Sequence, residues 1–108
     1  MRIGYARVST HDQDPALQRD ALEKAGCERI YEEHASGATA NRPQLERMID
    51  QLRPGDEVVV WKLDRLGRSV KDLVDLVNRL HEFKVEFTSL TEGIDTSTPG
   101  GQLVFHIF

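Results

Sequence analysis

The chain is poor in the features that would place it outside a reducing, aqueous compartment. Its 108 residues hold one cysteine, Cys27. A lone cysteine forms no internal disulfide and fits a reducing cytoplasm, the expected location. Following Gly26, it reads as a small packed residue rather than a nucleophile. No stretch approaches the roughly 20 apolar residues of a membrane span, so no membrane partner is expected. The opening Met1-Arg2-Ile3-Gly4-Tyr5 lacks the apolar run and cleavage site of a signal peptide. Positive charge is also short: 14 Lys and Arg against 18 Asp and Glu leave a net charge of −4. Proteins that hold DNA by bulk electrostatics are usually basic, so nucleic-acid contact here needs a local patch or a segment beyond these residues. The four histidines and Cys27 lack metal-ligand spacing, and neither a metal nor another cofactor is expected. No Ser-His-Asp constellation stands out either. His11 lies close to Ser9 in the chain but is expected to point elsewhere, and His34, His81 and His106 read as ordinary surface or helix positions.

What is present is a repeating alternation of strand and helix signals. Residues 2–8 read as a short strand covered on both sides. Asp14-Pro15 reads as a helix start, with Leu17, Ala21, Leu22 and Ala25 at helical spacing and Gly26 as the stop. Residues 28–34 read as a second strand and residues 35–41 as a small, polar loop. Pro43 opens a helix with Leu45, Met48, Ile49 and Leu52 on one face, and Pro54-Gly55 turns the chain. Residues 57–62, with three consecutive valines, suit a buried parallel strand. Ser69-Val70-Lys71-Asp72 fits a capping box. Val70, Leu73, Val74, Val77 and Leu80 follow as one apolar stripe, broadened by Leu76 and Phe83. Residues 85–90 read as a fourth strand, residues 91–98 as a polar loop, and Pro99 as the start of another helix. The expected fold is α/β: three layers, with a mostly parallel four-stranded sheet and helices on both faces.

In such a sheet a ligand site lies beyond the carboxyl ends of the strands. That rule gathers Arg7 and Ser9, the 35–42 loop, the 62–69 turn and the 91–98 loop at one edge. Arg7, Arg42, Arg65 and Arg68 each fall at or beside a strand end. Loop arginines are commonly solvated surface charges. Four at one edge with Ser9 would instead clamp a phosphodiester and neutralise the charge that develops as phosphorus becomes five-coordinate. Ser9 read alone is a loop serine in a local turn, since its hydroxyl needs activation to act as a nucleophile; its place at the carboxyl end of the first strand is what favours the nucleophile. Asp64 either orients an arginine or helps proton transfer, or is a plain salt-bridge partner.

Ile3-Gly4-Tyr5-Ala6-Arg7-Val8-Ser9-Thr10, then Gln13 and Leu17-Gln18-Arg19, resembles the opening of the serine recombinases, the resolvase and DNA-invertase family. Ser36-Gly37 with Asn41-Arg42-Pro43, and Lys62-Leu63-Asp64-Arg65-Leu66-Gly67-Arg68-Ser69, resemble its further signature segments in order and spacing. The stretch from Ser89 to Gly101 resembles the invertase branch. The resemblance implies a resolvase-like catalytic domain over residues 1–98. Residues 99–108 would begin a long dimerisation helix, cut off in an apolar run, with the remainder and a helix-turn-helix DNA-binding domain beyond. It implies that Ser9 attacks a DNA phosphodiester, joins the 5′-phosphate and frees a 3′-hydroxyl, without ATP or metal. Arg7, Arg65 and Arg68 match the family's active-site arginines, and Gln18 and Asp64 its supporting positions. Arg42, Ser36 and Lys62 fall on the DNA-phosphate side of the site. The implied partners are a double-stranded DNA crossover site and further copies of the chain, a homodimer on each site and a homotetramer during strand exchange. Two other readings stand beside this one: a phosphoryl-transfer hydrolase acting on a smaller phosphoester, and a non-catalytic receiver-like module binding through its apolar end.

Overall fold

A computed structural model describes residues 1–8, 15–34, 42–62 and 70–95. In chain order these form β1 (Arg2–Val8), α1 (Pro15–Lys24), β2 (Arg29–His34), α2 (Pro43–Gln51), β3 (Glu57–Val60), α3 (Val70–Glu82), β4 (Glu86–Ser89) and β5 (Ile94–Asp95). The sheet runs β2-β1-β3-β4-β5. Its first four strands pair in parallel, and β5 returns antiparallel to β4 through Thr88↔Asp95 and Ser89↔Ile94.

Alternation along the strands divides the core into two layers, because successive side chains of a strand point to opposite faces. On one face Ile3 and Tyr5 of β1 and Val58 and Val60 of β3 pack with Leu45, Met48 and Ile49 of α2 and Leu73, Leu76, Val77 and Leu80 of α3. On the other, Ala6 and Val59 pack with Leu22 of α1. The α1 layer is closely applied. A Cβ built on Gly4 would lie 3.1 Å from Leu22 Cδ1, 3.3 Å from Cys27 Sγ and 3.3 Å from Ile30 Cγ1. Glycine at this point lets helix and sheet meet. Burial here pushes the Cys27 thiol up to about 11, so it stays protonated and inert near neutrality, as a packed residue should. Helix α1 stops where expected: Gly26 takes φ +86°, and the Cys27 N–H closes back on the Leu22 carbonyl at 3.2 Å.

Several expectations need correction. The sheet has five strands rather than four, because residues 94–95, assigned to a polar loop, add β5 at the edge. Strand β3 ends at Val60, so Trp61 and Lys62 lie past it. Leu17, placed on the apolar face of α1, is 48% exposed, and Phe83, expected to broaden the α3 stripe, is 47% exposed. Phe83 follows the last residue of α3, where the chain turns through Lys84 at φ 60° and the apolar stripe no longer faces the sheet. The Asp14 cap, the Ser69 end of the capping box, the 35–41 loop and the helix start at Pro99 lie outside the described residues.

Candidate active site at the carboxyl ends of the strands

The strand order places β2 on one side of β1 and β3 on the other, with α1 on one face and α2 and α3 on the opposite one. The chain therefore changes direction between β1 and β3, and the crevice beyond their carboxyl ends is where an open α/β sheet receives a ligand. Arg7 is the next-to-last residue of β1, and Lys62 follows two residues after β3.

Below Arg7, on the same face by alternation, lies Tyr5, fully buried. Its hydroxyl donates to Glu33 Oε2 at 3.3 Å. The same carboxylate oxygen accepts the backbone N–H of Leu45, in the first turn of α2, at 3.0 Å. Glu33 stands opposite Arg7 in the β1–β2 register and is 2% exposed. A carboxylate so far from water is tolerable only when hydrogen-bonded and charge-compensated. Burial first, and then the Glu33 charge, hold the Tyr5 phenol far above its usual range, while Arg42 and Arg7 pull it down. Tyr5 is thus a fixed donor to Glu33, and both arginines lie within electrostatic reach of it.

Gln18 occupies the buried place in α1 that its neighbour Leu17 does not. At 1% exposure, its Nε2 donates to the Arg7 carbonyl at 3.1 Å, while its Oε1 has no partner among the described residues. A helix on one face of the sheet thereby pins the backbone of the arginine-bearing strand. Arg42 precedes α2 and accepts the Glu46 N–H on its carbonyl at 3.2 Å, but its side chain does not cap the helix. Its Nη2 instead donates to Asp72 Oδ2 in the first turn of α3, at 2.9 Å. Lys62 holds its ammonium 4.6 Å from the centroid of the Trp61 ring, a cation–π contact. The Trp61 carbonyl accepts both the backbone N–H (2.9 Å) and the hydroxyl (2.6 Å) of Thr91, tying the end of β3 to the turn after β4.

The described part of the site thus joins Arg7, Gln18 and Arg42 to a buried Tyr5–Glu33 pair, with Lys62 on the neighbouring strand end. Ser9, Ser36, Asp64, Arg65 and Arg68 lie outside the described residues. Among the described residues no group of three or more His, Cys, Asp or Glu could hold a metal ion.

The family model described as "Resolvase, N terminal domain" matches residues 2–108. The chain belongs to the resolvase family. It is 57% identical over 107 residues to the DNA-invertase of Escherichia phage P1, covering 99% of this chain and 58% of that protein. It is 56% identical over 105 residues to DNA-invertase hin of Salmonella typhimurium, covering 97% of this chain and 55% of that one. The chain thus spans little more than half the length of these curated relatives. Among solved structures, the N-terminal catalytic domain of TP901-1 integrase matches with a TM-score of 0.83 at 35% identity, covering 99% of this chain and 90% of that one. A resolvase-family recombinase from Streptococcus pneumoniae shares the fold at 22% identity, with a TM-score of 0.74 over 98% of this chain and 80% of that one.

Within this resolvase fold three neighbours of the site were not singled out by sequence: Tyr5, Glu33 and Asp72. Glu33 had a usable signal, since alternation places it on the same side of β2 as Tyr31, which packs against the core. An acid at a core-facing strand position asks for a partner. Asp72 shows in the sequence only as part of a capping box, and its reach across to Arg42 depends on tertiary packing.

Proposed function

We propose that the chain is the catalytic domain of a serine-type site-specific DNA recombinase, acting in the manner of the DNA invertases. The observation that carries this reading is the 57% identity to a DNA-invertase along 99% of the chain. The Ser9 hydroxyl, next in the chain after the last residue of β1, attacks phosphorus of a DNA phosphodiester. A bond forms between Ser9 Oγ and the 5′-phosphate, the bond to the 3′-oxygen breaks, and the 3′-hydroxyl leaves with a proton. Attack by the 3′-hydroxyl of a new strand on the phosphoserine reverses the step, so the bond energy is kept and no ATP is consumed. Arg7, Arg65 and Arg68 offset the charge on the five-coordinate phosphorus, as fixed guanidinium forks can at any working pH. Arg42, Lys62 and Ser36 are further phosphate contacts, and Gln18 and Asp64 support the arginines. Gln18 suits that task because it holds the Arg7 carbonyl from within the core. The substrate is a double-stranded crossover site, bound by a homodimer and exchanged within a homotetramer, and residues 99–108 begin the helix that joins subunits.

The test is incubation of the intact recombinase with a nicked crossover substrate that traps the covalent state. A denaturation-resistant protein–DNA adduct is expected from the unaltered protein and is expected to vanish in Ser9→Ala, which should still bind the site. Arg65→Lys and Arg68→Lys should each slow adduct formation by about 10²-fold, because a point charge cannot replace a bidentate fork. An undiminished adduct in Ser9→Ala would sink the assignment, and turnover of a small phosphate ester without any adduct would favour hydrolysis instead.

A further inference from the structure

Arg42 and Asp72 come from different elements: Arg42 immediately precedes α2, and Asp72 lies in the first turn of α3. Their side chains nonetheless meet at 2.9 Å, with that of Arg42 9% exposed and that of Asp72 27% exposed. A guanidinium this far out of water needs a compensating anion. Arg42 also has a long side chain with much rotamer freedom to lose, so something must select one orientation. A guanidinium is a rigid plane carrying five N–H donors; fixing one nitrogen fixes the direction in which the whole fork faces. Asp72 does this from the helix that directly follows the segment containing Asp64, Arg65 and Arg68 in the chain.

We propose that Asp72 is a positioning residue for the recombination chemistry, aiming the Arg42 guanidinium at the DNA phosphate before the substrate arrives. The inference rests on the recombinase reading and deepens it: Arg42 touches the phosphate, and Asp72 acts through Arg42. Because Asp72 is anchored on α3 and Arg42 at the head of α2, the pair also links the two helix starts that flank the site. A phosphate entering there meets a fork already oriented, and the cost of ordering that side chain has been met in the fold. Remote misplacement of a contact group by about 1 Å is enough to cost on the order of 10²-fold in rate.

The test is a double-mutant cycle on adduct formation by the intact recombinase at saturating nicked substrate, with binding to the uncut site and thermal melting measured in parallel. Asp72→Ala is expected to slow adduct formation by roughly 10- to 100-fold while leaving site binding intact. Arg42→Ala should produce a comparable loss, and the double variant should be no slower than Arg42→Ala alone, since the same contact has already gone. A carboxylate that served only the start of α3 would behave otherwise: its effect on adduct formation would multiply with that of Arg42→Ala, whereas a fall in melting temperature is expected on either account, since Asp72→Ala leaves the Arg42 guanidinium uncompensated. Should Asp72→Ala fail to fold, the nearly isosteric Asp72→Asn carries the same cycle, with a smaller loss that must likewise disappear in the Arg42→Ala background. Wild-type rates for Asp72→Ala, or losses that multiply, overturn the proposal while leaving the recombinase reading standing. Absence of any adduct from the unaltered protein overturns both.

Discussion

Through one carboxylate oxygen Glu33 accepts two hydrogen bonds, from the Tyr5 hydroxyl and the Leu45 backbone N–H, while almost wholly shielded from water. Truncating it leaves two buried donors without an acceptor, the arrangement in which lost hydrogen bonds cost most. Glu33→Ala is therefore expected to cost about 1–3 kcal/mol of stability per orphaned group, read from the urea midpoint. Glu33→Gln, which keeps an acceptor oxygen in place, should cost clearly less. Equal midpoints for Glu33→Ala and the unaltered protein would show that the pair does not hold β1, β2 and α2 together. The same neighbourhood marks how far single residues are legible in sequence. Arg7, Gln18 and Arg42 carry a motif signal; in the fold Gln18 holds the Arg7 carbonyl, and Arg7 and Arg42 lie within electrostatic reach of Tyr5. Asp72 escapes notice because its partner Arg42 lies 30 residues away in the chain, beyond any local pattern; Glu33 shows locally as an acid on the core side of β2, but its partner Tyr5 lies 28 residues away.

Among the elements, α1 and α3 separate what periodicity predicts from what packing decides. The α3 stripe of Leu73, Leu76, Val77 and Leu80 is buried as its spacing implies. In α1 the pattern is ambiguous, since Leu17 and Gln18 are adjacent and hydropathy favours the wrong one; the polar residue goes inside because the Arg7 carbonyl awaits its amide. Substitutions should follow the structure. Leu17→Gln and Phe83→Ser are expected to shift stability by no more than about 0.5 kcal/mol, as exposed positions do. Leu22→Ala and Leu80→Ala, at fully packed positions, should each cost about 2–5 kcal/mol. Denaturant unfolding of the four variants settles this, and a large loss at Leu17 or Phe83 would mean that those side chains are covered by something further. The strand missed by sequence, β5, is two residues long, too short to show any alternation, and its pairing is set by the Gly93 turn at φ +69°.

For the molecule as a whole, four strand–helix repeats and right-handed crossovers suffice to deduce a parallel sheet and the edge where its site lies; the order β2-β1-β3-β4 is one realisation of that rule. Charge is legible at this scale too. With a net charge of −4, the 108-residue unit should hold duplex DNA weakly on its own, through a few arginines rather than a basic surface. With about four phosphate contacts, log affinity should fall with log salt at a slope no steeper than about −4. Fluorescence anisotropy against KCl tests this, and a much steeper slope would place additional cationic contacts in these residues. The sheet order also bears on how the chain is made. Strand β1 is made before the other four strands, yet it lies between β2 and β3, and its Arg2–Glu57 ion pair spans 55 residues of chain. At a synthesis rate of about 5–20 residues per second, β1 waits several seconds with one side unpaired. During that interval the nascent chain exposes a β-edge that the finished domain has hidden, so any pause in translation before β3 is free to pair would lengthen its exposure.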